Sequence, residues 1–414
     1  MAVIDRFLER LIKRGTLTLI RPDGSSRTFG VADPAFPDVT MRFADAGVGR
    51  DIVLHPRLGL AEAYMDGRVT IDCDDIMGLV SLARSNAPWE KKGSLDGAAP
   101  LRALFKALFK KISRRLDQIN LRAASKANVA HHYDLSGALY DLFLDKDRQY
   151  SCAYWDGDHQ DLDRAQGDKK AHIAAKLALE PGMKVLDIGC GWGGMALYLH
   201  QKCGVDVTGI TLSEEQLGVA RARAADAGVA DHVRFELIDY RDIRGSFDRI
   251  VSVGMFEHVG APYFKEFFRC CHNLLTPQGV MLLHTIGRMG GPGSTDAFTR
   301  KYIFPGGYIP ALSEIVQASE PNRLMVTDVE ALRLHYGRTC RAWYERAQAR
   351  RAEIEALYDA RFFRMWTLYL AGAATVFEHG GMLVYQIQYA RDRRALPITR
   401  DYMIEAEKAL RGSS

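Results

Sequence analysis

The sequence predicts an α/β protein: a doubly wound parallel sheet with a helical cap, preceded by a small α+β domain. Three observations carry this. From about residue 180, apolar strand-like runs alternate with helical stretches, the order that builds a parallel sheet. The first of those runs ends in "LDIGCGWGG" (186–194), a glycine turn at the tip of a buried strand. Residues 15–72 instead show short alternating runs punctuated by turn dipeptides.

In chain order, the start "MAVIDRFLERLIKRGT" mixes charge into its apolar residues and is no signal peptide. "GTLTLI", a turn at "RPDGSS", "VTMRFAD", "DIVLH" and "LAEAYMDGRVTID" then read as β-rich. No catalytic constellation stands out there, and residues 1–90 are expected to form a small lipid-facing or dimerisation domain. Residues 86–100 look like a linker. In "LRALFKALFKKISRRLDQI" (101–119) apolar residues recur at helical spacing with Lys and Arg opposite. The net charge of +4 is concentrated here, since residues 91–126 carry 10 Lys/Arg against 2 Asp/Glu. That concentration favours a helix on an anionic membrane surface over one docked on the core, so residues 91–124 are assigned as a linker with a basic amphipathic helix. No second basic patch or base-stacking motif accompanies it, and no nucleic acid partner is expected.

Residues 125–414 form the expected catalytic domain. Its strands are "MKVLDIG", "VDVTGIT", "VRFELID", "FDRIVSVG" and "GVMLLHTIG", while residues 311–411 read as mostly helical, a cap over the sheet. The longest apolar run, Met365 to Phe377 between Arg364 and Glu378, is too short to span a bilayer. Seven Cys without a C-x-x-C pair point to a reducing cytoplasm. Twelve His without ligand spacing predict no metal.

Gly189, Gly191 and Gly194 fit the G-x-G-x-x-G spacing of a dinucleotide site, which wants an acid at the end of the second strand for the ribose. That strand ends "VTGIT", with no acid at Gly209, Ile210 or Thr211. An acid stands instead at Asp187, two residues before the first glycine. D-x-G-x-G-x-G after a strand is the signature of S-adenosylmethionine-dependent methyltransferases, so the expected sheet is of their class I type. Ligands of doubly wound sheets bind outside the carboxyl ends of the strands. The fourth strand runs into "MFEHVG", placing Glu257 and His258 at its tip, and the fifth ends "LLHTIG", placing His284 there. Ser213 and Gln216 form an S-x-x-Q capping box after the second strand.

The blocks "YSCAYW", "LDIGCGWGG", "GITLSEEQ", "DYRD", "FDRIVSVGMFEHVG", "LLHTIG", "KYIFPGGYIP" and "FFRMWTLYL" span roughly residues 125–395. In this order they closely resemble the cyclopropane-fatty-acyl-phospholipid synthases and their mycolic-acid relatives. The resemblance implies methylene transfer from S-adenosylmethionine to the cis double bond of an unsaturated acyl chain in a membrane phospholipid. It implies a homodimer lying peripherally on the cytoplasmic face of the membrane. It also implies a bicarbonate ion beside the methyl donor, held by a catalytic set of Cys152, Glu257, His284 and Tyr336 together with the Ile286 backbone. Donor contacts carry over to Tyr133, Tyr150, Ser151, Asp187, Gly189, Gly191 and Gly193, and to Thr211, Leu212, Ser213 and Gln216. They extend to Asp239, Tyr240 and Arg241, with Tyr240 at the adenine.

The chemistry suits these residue types. An alkene has no proton to lose before attacking a sulfonium methyl, so no base is needed to activate it. Attack leaves a carbocation, and a proton must then leave the new methyl group to close the ring. Bicarbonate could take that proton, with Glu257 and His284 orienting it. Water must be kept from the cation, which calls for an apolar tunnel. Phe304, Tyr308, Phe362, Trp366 and Tyr369 are candidates for its wall or for ordinary core. Some family members carry a Cys after "MxxYL"; here "LAGAATVF" has Ala373, and Cys152 reads as a hydrogen-bonding neighbour rather than a nucleophile. Two rival functions stand beside this one. A C-methyltransferase leaving a methyl or methylene branch differs only in which proton is lost. A non-catalytic membrane-binding module would lack the donor turn or Glu257, and both are present.

Overall fold

The computed structural model describes residues 3–55, 58–91 and 136–412. The first segment runs α1 (Val3–Leu11), β1 (Gly15–Ile20), β2 (Ser26–Val31), β3 (Asp38–Phe43), α2 (Val48–Leu54), α3 (Gly59–Met65), β4 (Val69–Ile71) and α4 (Ile76–Ser85). The next is α5 (Gly137–Phe143), α6 (Leu162–Lys176), β5 (Lys184–Ile188), α7 (Gly194–Cys203), β6 (Asp206–Thr211), α8 (Glu214–Asp226), β7 (Val233–Leu237) and β8 (Phe247–Val253). Then follow α9 (Phe264–Leu274), β9 (Leu275–Arg288), α10 (Leu312–Ser319), β10 (Met325–Leu332), α11 (His335–Ala349), α12 (Arg351–Leu357), α13 (Ala360–Glu378), β11 (Met382–Ala390) and α14 (Asp401–Gly412).

The chain divides into two compact units. One holds the described residues among 3–91, 296–303 and 337–381. Its sheet has the order β2-β1-β3-β4, with β1 and β3 parallel and the other pairs antiparallel. β1 alternates as expected of a half-buried strand, with Leu17 and Leu19 inside. α13 packs on α3 and α4 in this unit. The second unit holds residues 136–295, 304–336 and 382–412. Its seven-stranded sheet has the order β10-β11-β9-β8-β5-β6-β7. β9, β8, β5, β6 and β7 are parallel neighbours, and β11 and β10 add antiparallel at the β9 side. Ile188, Ile250, Met281 and Leu283 face a core with Phe256, Phe264, Phe267 and Phe268. Val185, Val207, Val251 and Leu282 face the other, with Ile173, Leu177 and Leu197.

The sequence reading differs from this architecture at three places. "DIVLH" is not a strand but the end of α2, and "LAEAYM" is α3; only "VTI" after them is extended. Residues 311–411 are mostly helical as expected, but β10 and β11 also lie there and complete the sheet. Residues 337–381, expected within the catalytic domain, cluster with the amino-terminal unit instead. The basic helix expected over 101–119 and Tyr133 lie outside the described residues. Among the described residues, no helix is long and apolar enough to cross a membrane.

Candidate active site

A cleft opens at the carboxyl ends of β5, β6 and β8. Asp187, the next-to-last residue of β5, is 1% exposed, and its Oδ2 is buried without a hydrogen-bond partner. Burial pushes its carboxyl up to about 7, with the Lys169 ammonium pulling the other way. The turn that follows needs glycine. Gly189 has φ +84°, and a Cβ there would come within 2.8 Å of the Met255 Cβ. Gly193, also at φ +84°, is the residue just before α7, so the turn delivers the amino end of that helix to the cleft.

The cleft lining contains Tyr150, Ser151, Asp187, Gly189, Gly191, Thr211, Leu212, Gln216, Asp239, Tyr240 and Arg241, so most of the donor residues expected from sequence converge. Gly193 and Ser213 are not among the lining residues. Ser213 Oγ accepts from the Gln216 amide at 3.3 Å and caps α8. Only this half of the expected capping box forms, because the Gln216 Oε1 accepts instead from Thr211 Oγ1 at 2.9 Å. Asp239 accepts from the Arg241 guanidinium at 2.7 and 2.5 Å, and Tyr240 packs edge-on against Phe267. Lys169 is a residue that the sequence did not single out. Fully buried, it donates to Gln149 Oε1 at 2.5 Å and to Ser151 Oγ at 2.8 Å, and burial lowers its ammonium to about 8.

Of the residues expected at the ion, Cys152 directly follows the cleft residue Ser151, and Glu257 stands between Met255 and His258, which line the cleft. Glu257 sits in a 3-10 turn, Phe256–His258, just past β8 and is 7% exposed. Its Oε1 accepts from the Ile286 amide at 2.5 Å, while Oε2 is buried with no partner. Burial pushes this carboxyl up to about 7. The Tyr308 amide donates to the Glu257 carbonyl at 2.9 Å and holds the turn. His284, in β9, is 2% exposed and faces Gln386 of β11, with His284 Nδ1 3.1 Å from Gln386 Nε2. Burial holds its imidazole well below the usual range, helped by Lys169, Lys176 and His172. Cys152 is buried, with its thiol donating to the Ala153 carbonyl at 3.3 Å. Tyr336 lies at the start of α11 beside His335. The Trp155 amide donates to His335 Nδ1 at 2.9 Å, tying the Cys152 segment to the start of that helix.

Glu257 and His258 part company. His258 lines the donor cleft, its imidazole lowered to about 4 by burial, with its ring 5.9 Å from that of Phe304. Tyr308 is core, its hydroxyl donating to Glu314. Phe362, Trp366 and Tyr369 form an aromatic ladder along α13. Away from the cleft, His200, Asp206 and His232 bring three potential metal-ligand atoms within 4.8 Å of one another near the start of β6, with Asp206 and His232 exposed.

The cleft fits S-adenosylmethionine. An unpartnered buried carboxyl oxygen on Asp187 suits the donor's positive charge, and Gly189, where a Cβ would meet Met255, lets the backbone approach it. The unpartnered buried oxygen of Glu257 would suit a second site, for a small polar ion. Sheet order, glycine turn and buried acid define a class I S-adenosylmethionine-dependent methyltransferase. The model of the mycolic acid cyclopropane synthetase family matches residues 121–387, and the chain belongs to that family. It is 38% identical over 364 residues to the cyclopropane-fatty-acyl-phospholipid synthase of Escherichia coli (strain K12), covering 87% of this chain and 90% of that one. The tuberculostearic acid methyltransferase UfaA1 of Mycobacterium tuberculosis is 32% identical over 404 residues, 94% and 91% of the two chains. Among solved structures, the mycolic acid cyclopropane synthase CmaA1 complexed with SAH and CTAB superposes with a TM-score of 0.61 at 35% identity, over 64% of this chain and 98% of that one.

Proposed function

We propose that the protein transfers a methylene group from S-adenosylmethionine to the cis double bond of unsaturated acyl chains in membrane phospholipids, through a carbocation and with bicarbonate in the second site. The observation that carries this reading is Glu257, a buried carboxyl with one oxygen on the Ile286 amide and the other without a partner, beside the donor cleft. When bound, S-adenosylmethionine supplies an electrophilic methyl group and bicarbonate a proton acceptor. The chain's own residues do the rest. Glu257, raised to about 7, can carry a proton toward an anion near neutral pH, which an ordinary glutamate cannot. Cys152 and Tyr336 complete the ion's surroundings in this reading. Tyr150, Ser151, the glycine turn, Thr211, Gln216 and Tyr240 hold the donor. The Escherichia coli relative, named for this activity, supports it over most of the chain.

Residues 91–124 are proposed to hold the enzyme on the anionic inner face of the membrane, and residues 1–90 to face lipid or to dimerise. The second reading is methyl branching, favoured by the tuberculostearic acid methyltransferase relative. The test is the fatty-acid profile of cells expressing the protein. A gain of one CH2 with cyclopropyl proton signals supports ring closure, a branched chain supports the second reading, and an unchanged profile overturns both.

A further inference from the structure

The residues behind His284 fix more than its position. Lys176 is buried at the end of α6 and donates to two oxygens, Glu330 Oε2 and, at 2.8 Å, Gln386 Oε1. Glu330 also accepts from His172 Nε2 at 2.7 Å, and Glu407 from His172 Nδ1 at 2.9 Å. With a carboxylate on each nitrogen, His172 is a double donor. Burial works against its charge, yet the two carboxylates raise it above the usual value. The buried chain therefore alternates in sign: Glu407, His172, Glu330, Lys176.

That alternation ends on an amide, and the amide has only one way to lie. An ammonium donates and never accepts, so the Gln386 oxygen must face Lys176. The other orientation would press the NH2 group against a cation. This settles the choice between oxygen and nitrogen on chemical grounds. Gln386 Nε2 then faces His284 Nδ1 at 3.1 Å, across a directly paired position of β11 and β9. The NH2 can only donate, so Nδ1 must be the lone pair, and the ring's single proton sits on Nε2.

We propose that Gln386, Lys176 and Glu330 are positioning residues that lock His284 as a neutral imidazole carrying its proton on Nε2. The inference rests on the proposed place of His284 at the ion. It assigns His284 one task there, donating a hydrogen bond to an anion, and removes it as an acceptor of the ring-closing proton. The groups around the ring agree. Lys169, His172 and Lys176 of α6 set positive charge against protonation, Glu330 of β10 opposes them, and Glu257 meets the same strand two residues on, at Ile286.

The experiment is nitrogen NMR of the histidine-labelled full chain, with His284→Asn used to assign the signal. The expected wild-type spectrum is a neutral Nε2–H tautomer unchanged from mildly acidic to mildly alkaline pH. Gln386→Glu places a carboxylate against Nδ1, which must then donate, and the opposite charge raises the imidazole pKa. Below that raised pKa, the imidazolium still donates from Nε2. Above it the proton stays on Nδ1, so turnover falls as pH rises, by about 10- to 100-fold, the loss of one hydrogen bond to a charged group. Wild type lacks that limb. Lys176→Met frees the amide to turn and gives a mixture of tautomers. A wild-type Nδ1–H tautomer, or a His284 that titrates near neutral pH, overturns the inference, and so does a folded Gln386→Glu variant with unchanged spectrum and pH profile. Should the variants not fold, the wild-type spectrum alone decides. Turnover indifferent to bicarbonate removes the proposed ion and leaves the tautomer standing, so the two failures are distinct.

Discussion

Glu257→Gln separates charge from shape at the proposed ion site. Glutamine keeps an oxygen for the Ile286 amide and puts a fixed NH2 where the unpartnered Oε2 now lies. The variant can donate toward an anion but cannot release or regain a proton there. Loss of a well-placed acid or base lowers turnover by ~10²–10⁴-fold. Stability moves the other way. The carboxyl's ordinary value of 4.5 is raised to about 7 by burial, so the folded protein favours the protonated form. That contribution is complete below 4.5 and is lost as pH rises through about 7. The gap amounts to about 3 kcal/mol at alkaline pH, at 1.36 kcal/mol per pH unit. Glutamine carries no such penalty. Chemical denaturation should therefore find the variant more stable than wild type above neutrality, by up to about 3 kcal/mol, with the difference shrinking toward pH 4.5. Turnover on unsaturated phospholipid vesicles, with and without bicarbonate, reads the other half. A fully active variant, or a stability difference that does not change with pH, refutes the reasoning.

Other substitutions probe neighbouring features. His284→Ala should lower turnover by about 10- to 100-fold, the loss of one hydrogen bond to a charged group, and the double variant should lose less than the combined effects if both act on the proposed ion; steady-state rates of the three variants decide. Cys152→Ser should retain most activity, because a hydroxyl replaces a hydrogen-bonding thiol; complete inactivation would make it a nucleophile. Gly189→Ala forces a Cβ to 2.8 Å from the Met255 Cβ at φ +84° and should destabilise the fold by about 1–3 kcal/mol while weakening S-adenosylhomocysteine binding in calorimetry. Replacing Lys110, Lys111, Arg114 and Arg115 by Gln should weaken sedimentation with anionic vesicles by about 1 kcal/mol per charge, and unchanged binding at low salt would remove the membrane role.

What sequence could reveal was whatever depends on neighbours in the chain. The glycine turn, Asp187, the tips of β5, β6 and β8 and the Ser213 cap are local patterns, and each stands where the periodicity put it; His284, expected at a strand tip, instead lies inside β9, which runs on to Arg288. β10 and β11 were not legible. "MLVYQIQYA" is an apolar run that periodicity alone cannot divide between helix and strand, and its partner β9 ends far upstream. "DIVLH" failed for the same reason, as a short apolar run that became the end of a helix. Lys169 and Lys176 were not singled out, because their acceptors come from distant segments, at Gln149, Ser151, Glu330 and Gln386. Sequence also placed Glu257 and His258 together. In a 3-10 turn adjacent side chains point about 120° apart, so one reaches Ile286 and the other the donor cleft.

The placement of β11 between β9 and β10 has a consequence for biogenesis. β9 ends at Arg288 and its neighbour begins only at Met382, so during synthesis an eventual inner strand spends the intervening stretch as a bare edge. At about 5–20 residues per second that exposure lasts several seconds. The side exposed includes "VMLLH", a run of the kind that recruits other strands when left unpaired. A nascent chain of this enzyme is thus most in need of a chaperone late, when its methyl-donor half can already have folded, and messages truncated before residue 382 would yield a sticky product rather than a smaller working one.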